Sequence, residues 1–202
     1  MEKTDMSTPF VVATKNMDKV SEIREILSEL PFQIMTMSEA GCDDDIEEDG
    51  ESFRENALKK AIDVHNRIGG YVMADDSGLA VDALDGAPGI YSARFHGKDS
   101  TYPEKIQALW DLLHNIPLEQ RTAHFICAIA VVRPDGSSFT VQESMDGILY
   151  EKIVGDNGFG YDPVFFLPER GVTAAQLTNE EKNEISHRGK ALRAMLAQLR
   201  NT

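Results

Sequence analysis

This chain has little cysteine: Cys42 and Cys127 are the only two in 202 residues. Two thiols cannot build the disulfide framework of a small secreted protein, so both are expected free, in a reducing cytoplasm. Long hydrophobic runs are missing too. Nothing approaches the roughly 20 apolar residues that a membrane helix needs, so no membrane partner is expected. The opening MEKTDMSTPF has no basic stretch ahead of an apolar one, and no signal peptide is read there. Positive charge is scarce: 20 Lys and Arg stand against 34 Asp and Glu, a net charge of −14. A surface that acidic repels nucleic-acid backbones and argues against a nucleic-acid partner. It allows a small anionic ligand, given a local cationic pocket or a divalent metal to neutralise it. Internal repeats, low-complexity tracts and linkers are absent as well. What is there is 42% hydrophobic and 27% charged residues, ordinary for a globular protein, in a length that suits one domain over residues 1–202.

Along the chain, apolar spacing alternates between strand-like and helix-like. Pro9–Thr14 (PFVVAT) reads as a short buried strand. NMDKVSEIREILSEL follows as a helix, because Ile23, Ile26, Leu27 and Leu30 repeat at i, i+3, i+4 and i+7, and Asn16 suits the N-cap. Phe32–Met37 reads as a second strand and CDDDIEEDG as an acidic loop. Ser52 and Glu55 form a capping-box signature that opens a second helix, closed by Gly69 and Gly70. YVMA reads as a strand that ends at Asp75 and Asp76. A second capping signature, Thr101 and Glu104, precedes a helix with Ile106, Leu109, Trp110 and Leu113 on one face. HFICAIAVV and SSFTVQES flank Pro134-Asp135-Gly136 as a long hairpin. After Thr178 the chain reads as helical, with Leu192, Met195, Leu196 and Leu199 in register; whether Ser186 starts a separate helix is left open. Together these elements predict a mixed α/β protein with a long central sheet.

Four blocks hold residues suited to chemistry. Thr14, Lys15, Asn16, Met17, Asp18 and Lys19 lie where a strand gives way to a helix, and helix-start N–H groups with lysines suit an anion. The block lacks the G-K-[ST] ending of a Walker loop, which excludes that mode; it also fits an ordinary N-capped helix. The acidic stretch Asp43–Glu51 reads either as a solvated loop or as the source of a glutamate that completes an oxygen-ligand site for Mg²⁺ with Asp75 and Asp76. Two adjacent carboxylates at the end of a buried strand need compensation, by a metal ion or by a turn that exposes them. Strand ends are also where α/β proteins commonly place function. In the last block, Phe159 and Tyr161 on a glycine-rich turn offer rings that can stack on a nucleobase, and Lys182, His187 and Arg188 offer donors. Core aromatics and a basic helix end would give the same pattern.

In order along residues 13–192, the segments ATKNMDK, FRENALKKA, ADDSGLAVDALDGAPGIYSARF, GFGYDPVF and EEKNEISHRGKAL resemble the inosine/xanthosine triphosphate pyrophosphatases, which remove noncanonical purine nucleotides. One local departure is Gln176 in TAAQL, at a position with no catalytic assignment. The resemblance implies an elongated α/β fold whose long mixed sheet divides two lobes enclosing a nucleotide cleft. It implies a homodimer, and Mg²⁺-dependent cleavage of ITP, dITP or XTP between the α- and β-phosphates to give the monophosphate and pyrophosphate. By resemblance Asp76 is the general base and a metal-linked carboxylate with Asp75 beside it, and Glu47 is the acidic loop's metal ligand. Thr14 to Lys19 hold the triphosphate, and Ser77 contacts substrate. Phe159, Gly160, Tyr161 and Asp162 form the base-stacking turn, and Lys182, His187 and Arg188 recognise the base. Glu55 and Lys60 match positions near the metal and phosphates. On this reading Mg²⁺ and a water offset the charge of the aspartate pair.

Two rivals remain. One is a pyrophosphatase of similar fold for pyrimidine or modified nucleotides, against which SHRGK argues. The other is a nucleotide sensor without turnover, against which the full set of acids and bases argues.

Overall fold

A computed structural model describes residues 9–28 and 32–200; Leu30, placed on the first helix by its spacing, lies outside them. The chain runs β1 (Pro9–Val12), α1 (Met17–Ile26), β2 (Gln33–Thr36), α2 (Phe53–Ile68) and β3 (Tyr71–Val81), then α3 (Tyr102–Leu112), β4 (Thr122–Val132) and β5 (Ser138–Leu149). Short strands β6 (Phe165–Leu167) and β7 (Val172–Thr173) precede α4 (Asn179–Ile185) and α5 (His187–Arg200). Seven strands form one sheet in the order β2-β1-β3-β4-β5-β6-β7. β1 is parallel to β2 and β3, while β6 is antiparallel to β5 and β7, so the sheet is mixed, as the resemblance implies.

Local signals account for the helix starts. Asn16 Oδ1 accepts the N–H groups of Asp18 and Lys19 at 3.0 and 3.2 Å. Thr101 and Glu104 close a reciprocal box: Glu104 Oε2 takes the Thr101 N–H at 2.7 Å and Thr101 Oγ1 takes the Glu104 N–H at 3.5 Å. At α2 the expected box is only half made. Ser52 Oγ caps the Glu55 N–H at 3.2 Å, but the Glu55 carboxylate accepts from Glu51 N–H at 2.7 Å. The 133–137 turn closes the β4–β5 hairpin through Arg133 N–H to Ser137 O at 2.8 Å. Ser186 is extended (φ −66°, ψ 154°) and separates α4 from α5, so the C-terminal stretch is two helices.

The strand expected to end at Asp75 and Asp76 does not end there. β3 continues through Ser77 and Gly78 to Val81. Pairing with β1 does stop at Val12↔Met73, so both carboxylates lie past the carboxyl end of their parallel neighbour. Gly78 is not a turn residue here. A Cβ on it would overlap the carbonyl oxygen of Gly89 and the side chain of Ser92, so only glycine lets residues 89–92 approach the strand. Ser92 Oγ fixes that approach, accepting the Leu79 N–H at 2.8 Å and donating to Gly89 O at 2.6 Å.

The chain divides into two compact units, the first Met1–Asp76, Cys127–Glu143 and Ala191–Thr202, the second Ser77–Ile126 and Ser144–Lys190. The first has a core around Phe10, Ile23, Met73, Cys127, Ile129 and Leu192. The second packs Leu79, Leu109, Leu113, Phe125, Leu149 and Phe165. Replacing Gly78 by alanine is expected to cost about 1–3 kcal/mol by overpacking. The measurement is the urea midpoint at unchanged slope; a wild-type midpoint would show that residues 89–92 move aside freely.

Candidate active site

Why the first unit tolerates two consecutive buried carboxylates follows from topology. The order β2-β1-β3 makes the chain travel one way from β1 to β2 and back past β1 to β3. Right-handed crossovers then put α1 and α2 on opposite faces of the sheet. Successive strand residues also face opposite ways, so each helix serves one aspartate. From the first turn of α1, Lys19 Nζ donates to Asp75 Oδ1 at 2.5 Å. From α2, Lys60 Nζ donates to Asp76 Oδ1 at 3.1 Å, to Asp75 O at 2.9 Å and to Glu48 Oε1 at 2.7 Å. Two lysines thus supply compensation for the aspartate pair. On its other oxygen Asp75 accepts the Cys127 thiol at 3.2 Å.

The charges in this cluster are unevenly balanced. Burial holds down the Lys60 pKa, but the carboxylates of Asp76 and Glu48 outweigh it, and the net direction is up: Lys60 is an ammonium. Asp76 has only a share of that ammonium. Burial pushes its carboxyl above the usual range, Lys60 and Lys19 oppose the rise, and the Glu48 charge adds to it. Asp76 Oδ2 is buried and has no hydrogen-bond partner among the described residues.

Glu48, not Glu47, is the acidic-loop residue that reaches this cluster. Glu47 is exposed and lines a separate groove with Glu55, Lys59, Ile62 and Asp63. Two adjacent glutamates carry no local signal for which one faces in; the path of the loop decides it. That path is pinned by ion pairs of Lys15 with Asp45 at 2.7 Å, Arg67 with Asp44 at 2.5 Å, and Lys59 with Asp49. Among the described residues no group of three or more His, Cys, Asp or Glu side chains is arranged to hold a metal.

The strand–helix turn is only partly free for an anion. Two of its amide donors are already taken by Asn16, and Thr14 Oγ1 accepts the Asn16 N–H at 3.2 Å. Met17 and Asp18 point outward. Thr14 and Lys15 nonetheless share a cavity of about 150 Å³ with Glu48 and Lys60.

The second unit gathers the remaining predicted residues. Arg188, 2% exposed, donates Nη2 to Ser77 Oγ at 2.9 Å. Lys182 Nζ donates to Asp162 Oδ2 at 2.6 Å, and the same oxygen accepts the Phe159 N–H at 2.8 Å. Both cations stand over the Phe159 ring, Lys182 at 5.1 Å and Arg188 at 5.7 Å from its centroid. Gly158 and Gly160 at φ 71° and 69° give the turn its shape. His187 is buried and stacks on Phe125 at 4.9 Å. Tyr161 departs from the expected aromatic pair. Its ring is buried edge-on against Tyr102, its hydroxyl donates to Ser92 O at 3.1 Å, and burial pushes its phenol pKa up. Of the two rings, the half-buried Phe159 keeps an accessible part.

Residues 10–198 match the Ham1 family, nearly the whole described chain. This chain belongs to the Ham1 family. The dITP/XTP pyrophosphatase of Geobacter sulfurreducens is 46% identical to this Ham1-family chain over 185 residues, 92% of this chain and 93% of that protein. The dITP/XTP pyrophosphatase of Escherichia coli O157:H7 is 46% identical over 193 residues, 95% and 98% of the two chains. Among solved structures, the Ham1 protein of Staphylococcus aureus aligns with a TM-score of 0.85 at 37% identity, covering 96% of this chain and 98% of that one. The HAM1 protein of Coxiella burnetii aligns at 0.87 and 37% identity, covering 96% and 100%.

The cluster around Asp76 gives a signed expectation. Its carboxyl should titrate above the ordinary aspartate value of about 3.9. Glu48→Gln removes a negative neighbour and leaves Lys60 more fully to Asp76, so the midpoint should fall. Lys60→Met should raise it. Carbon-13 NMR of the labelled carboxyl reads all three, and a midpoint insensitive to both changes would leave burial as the sole cause.

Proposed function

We propose that this chain hydrolyses noncanonical purine nucleoside triphosphates (dITP, XTP and ITP) to the monophosphate and pyrophosphate. The observation that carries the reading is Asp76: a carboxylate pushed up by burial, with one oxygen unpartnered, in a chain aligned over more than nine-tenths of its length with dITP/XTP pyrophosphatases. A general base works best when its pKa approaches the working pH. Asp76 Oδ2 takes a proton from water as the water's oxygen bonds to the α-phosphorus. The bridging oxygen to the β-phosphorus leaves with the bonding electrons, as part of pyrophosphate. Lys15 and Lys19 stabilise the charge that gathers on that leaving group. Lys15 is free to turn because its Asp45 partner is exposed; Lys19 stays on Asp75 and offers its remaining donors.

A divalent cation, Mg²⁺ first among them, fits the oxygen donors of Asp76 and Glu48 with phosphates and waters completing its shell, and when bound it would neutralise phosphate charge and acidify nearby water. The donor set supports this fit: the carboxylates of Asp76 and Glu48 meet at Lys60 Nζ, at 3.1 and 2.7 Å. Glu48 replaces Glu47 as the proposed acidic-loop ligand.

Base choice falls to the second unit. Phe159 offers the stacking ring, and Arg188 and Lys182, which only donate, suit the 6-carbonyl of hypoxanthine and xanthine. Adenine would set an amino group against those donors, and guanine adds a 2-amino group that needs an acceptor. The chain is further proposed to act as one domain, as a homodimer in the cytoplasm, without a nucleic-acid partner. The net charge of −14 supports the last point. No helix among the described residues is long and apolar enough to cross a membrane.

Incubation with a panel of nucleoside triphosphates and Mg²⁺ tests the proposal through its products. Pyrophosphate and a monophosphate are expected, and a nucleoside diphosphate as first product would overturn it. Asp76→Asn should lower kcat by roughly 10²–10⁴-fold with the fold retained by circular dichroism. Because Asp76 must be ionised to accept a proton, activity should be lost as pH falls through its raised pKa. Hydrogen-bonded recognition should favour ITP and XTP over ATP and GTP by at least ~10²-fold in kcat/KM. Arg188→Ala should narrow that gap, chiefly by slowing the preferred substrates; an unchanged ratio would remove Arg188 from base recognition.

A further inference from the structure

Cys127 is wholly buried in the apolar core of the first unit, beside Met73 and Ile129. Such a residue ordinarily serves as a small hydrophobe. Here its thiol meets a carboxylate instead, Asp75, which is also 0% exposed and cannot draw on solvent. We propose that Cys127 is a positioning residue, whose thiol fixes the Asp75 carboxylate in the orientation that aims Lys19 at the substrate's terminal phosphates. The inference rests on the reading that Lys19 holds phosphate.

The geometry is a three-member chain. Asp75 Oδ2 accepts from Cys127 Sγ at 3.2 Å, and Asp75 Oδ1 accepts from Lys19 Nζ at 2.5 Å. Held at both oxygens, the carboxylate cannot rotate without losing a bond. The Lys19 side chain is mostly buried but 14% exposed, and its ammonium, held on Asp75, has two further N–H donors to offer. A neutral donor is what the inner end needs. The Lys19 and Asp75 charges already cancel, and a cation in place of the thiol would leave an unpaired buried charge. Deleting the thiol removes one of the hydrogen bonds that fix a buried carboxylate, and the side chain gains freedom to turn. Lys19, bound to the other oxygen, then moves with it. Small misplacements of a charged group that holds substrate are costly to binding.

Valine matches cysteine in size without the donor; serine keeps a donor. Cys127→Val is expected to raise KM for dITP roughly tenfold, the lower part of the range for a buried group left unsatisfied, with kcat changed less than about threefold. Cys127→Ser should return KM to within about threefold of wild type. Cys127→Ala deletes the same donor without risk of crowding the core and should raise KM as valine does. A merely structural role would lower the melting temperature of all three without this pattern. Adding Cys127→Val to Asp75→Asn should leave KM where Asp75→Asn alone puts it, because the thiol acts through the carboxylate. Additive effects, or a wild-type KM in both donor-deleted variants, overturn the inference. Lys19→Met separates the two levels: a raised KM there with unchanged Cys127 variants refutes only the role of the thiol, whereas an unchanged KM for Lys19→Met refutes the phosphate-binding reading as well.

Discussion

Two consecutive aspartates in the middle of a strand, each answered by a lysine from a different helix, set the terms for the first unit. Desolvating a carboxylate costs several kcal/mol, and removing one partner of a buried pair typically costs about 3–5 kcal/mol. Neither Lys19 nor Lys60 is therefore replaceable without consequence, and neither helix can shift along the sheet. The pairs in turn require α1 and α2 on opposite faces, which the reversal of direction in the β2-β1-β3 order provides. A strand order, two helix positions and a charge pattern are thus one constraint. The asymmetry inside it matters as much. Asp75 is bonded at both oxygens, while Asp76 shares its lysine with Glu48 and has one oxygen with no partner among the described residues. The first suits a fixed anchor, the second a group that accepts a proton.

The second unit solves a different problem with similar parts. Its charges gather round an aromatic ring instead of a strand. Asp162 ties the Lys182 ammonium to the Phe159 backbone, and Arg188 is tied to Ser77. The break at Ser186 lets Lys182 and Arg188, from separate helices, both stand over one ring. An unbroken helix would have carried them in a fixed relation about one and two-thirds turns apart, by its residue spacing.

Features written in short-range spacing were legible before the fold was known: the Asn16 cap, the Thr101–Glu104 box, the hairpin at Pro134-Asp135-Gly136 and the apolar faces of α3 and α5. The central sheet and the family were legible as well, the latter from the order of its blocks. What escaped depends on contacts far along the chain. Asp, Ser and Gly are poor strand formers, so nothing local announces that β3 runs on past Asp76. The lysines that make it possible lie 56 and 16 residues from their carboxylates. That Glu48 and not Glu47 reaches Lys60 is not encoded by residue type, because the path of the loop decides it. Nor does residue type reveal that the Tyr161 ring packs edge-on against Tyr102 with its hydroxyl donated to Ser92 O.

The acidic loop that delivers Glu48 is fastened from outside by pairs whose members are largely solvated: Lys15 with Asp45, Lys59 with Asp49, and Arg67 with Asp44. The Debye length shrinks from about 10 Å at 0.1 M salt to about 3 Å at 1 M, and exposed pairs weaken with it, whereas buried ones are far less screened. Ionic strength thus acts unequally on the cluster. It loosens the tether of Glu48 and leaves the grip of Lys19 and Lys60 on β3 intact. Salt therefore reaches this cluster through a single loop: if Glu48 is drawn off, the charge that adds to the rise of the Asp76 pKa goes with it, while Lys60 keeps its bonds to Asp75 O and Asp76 Oδ1.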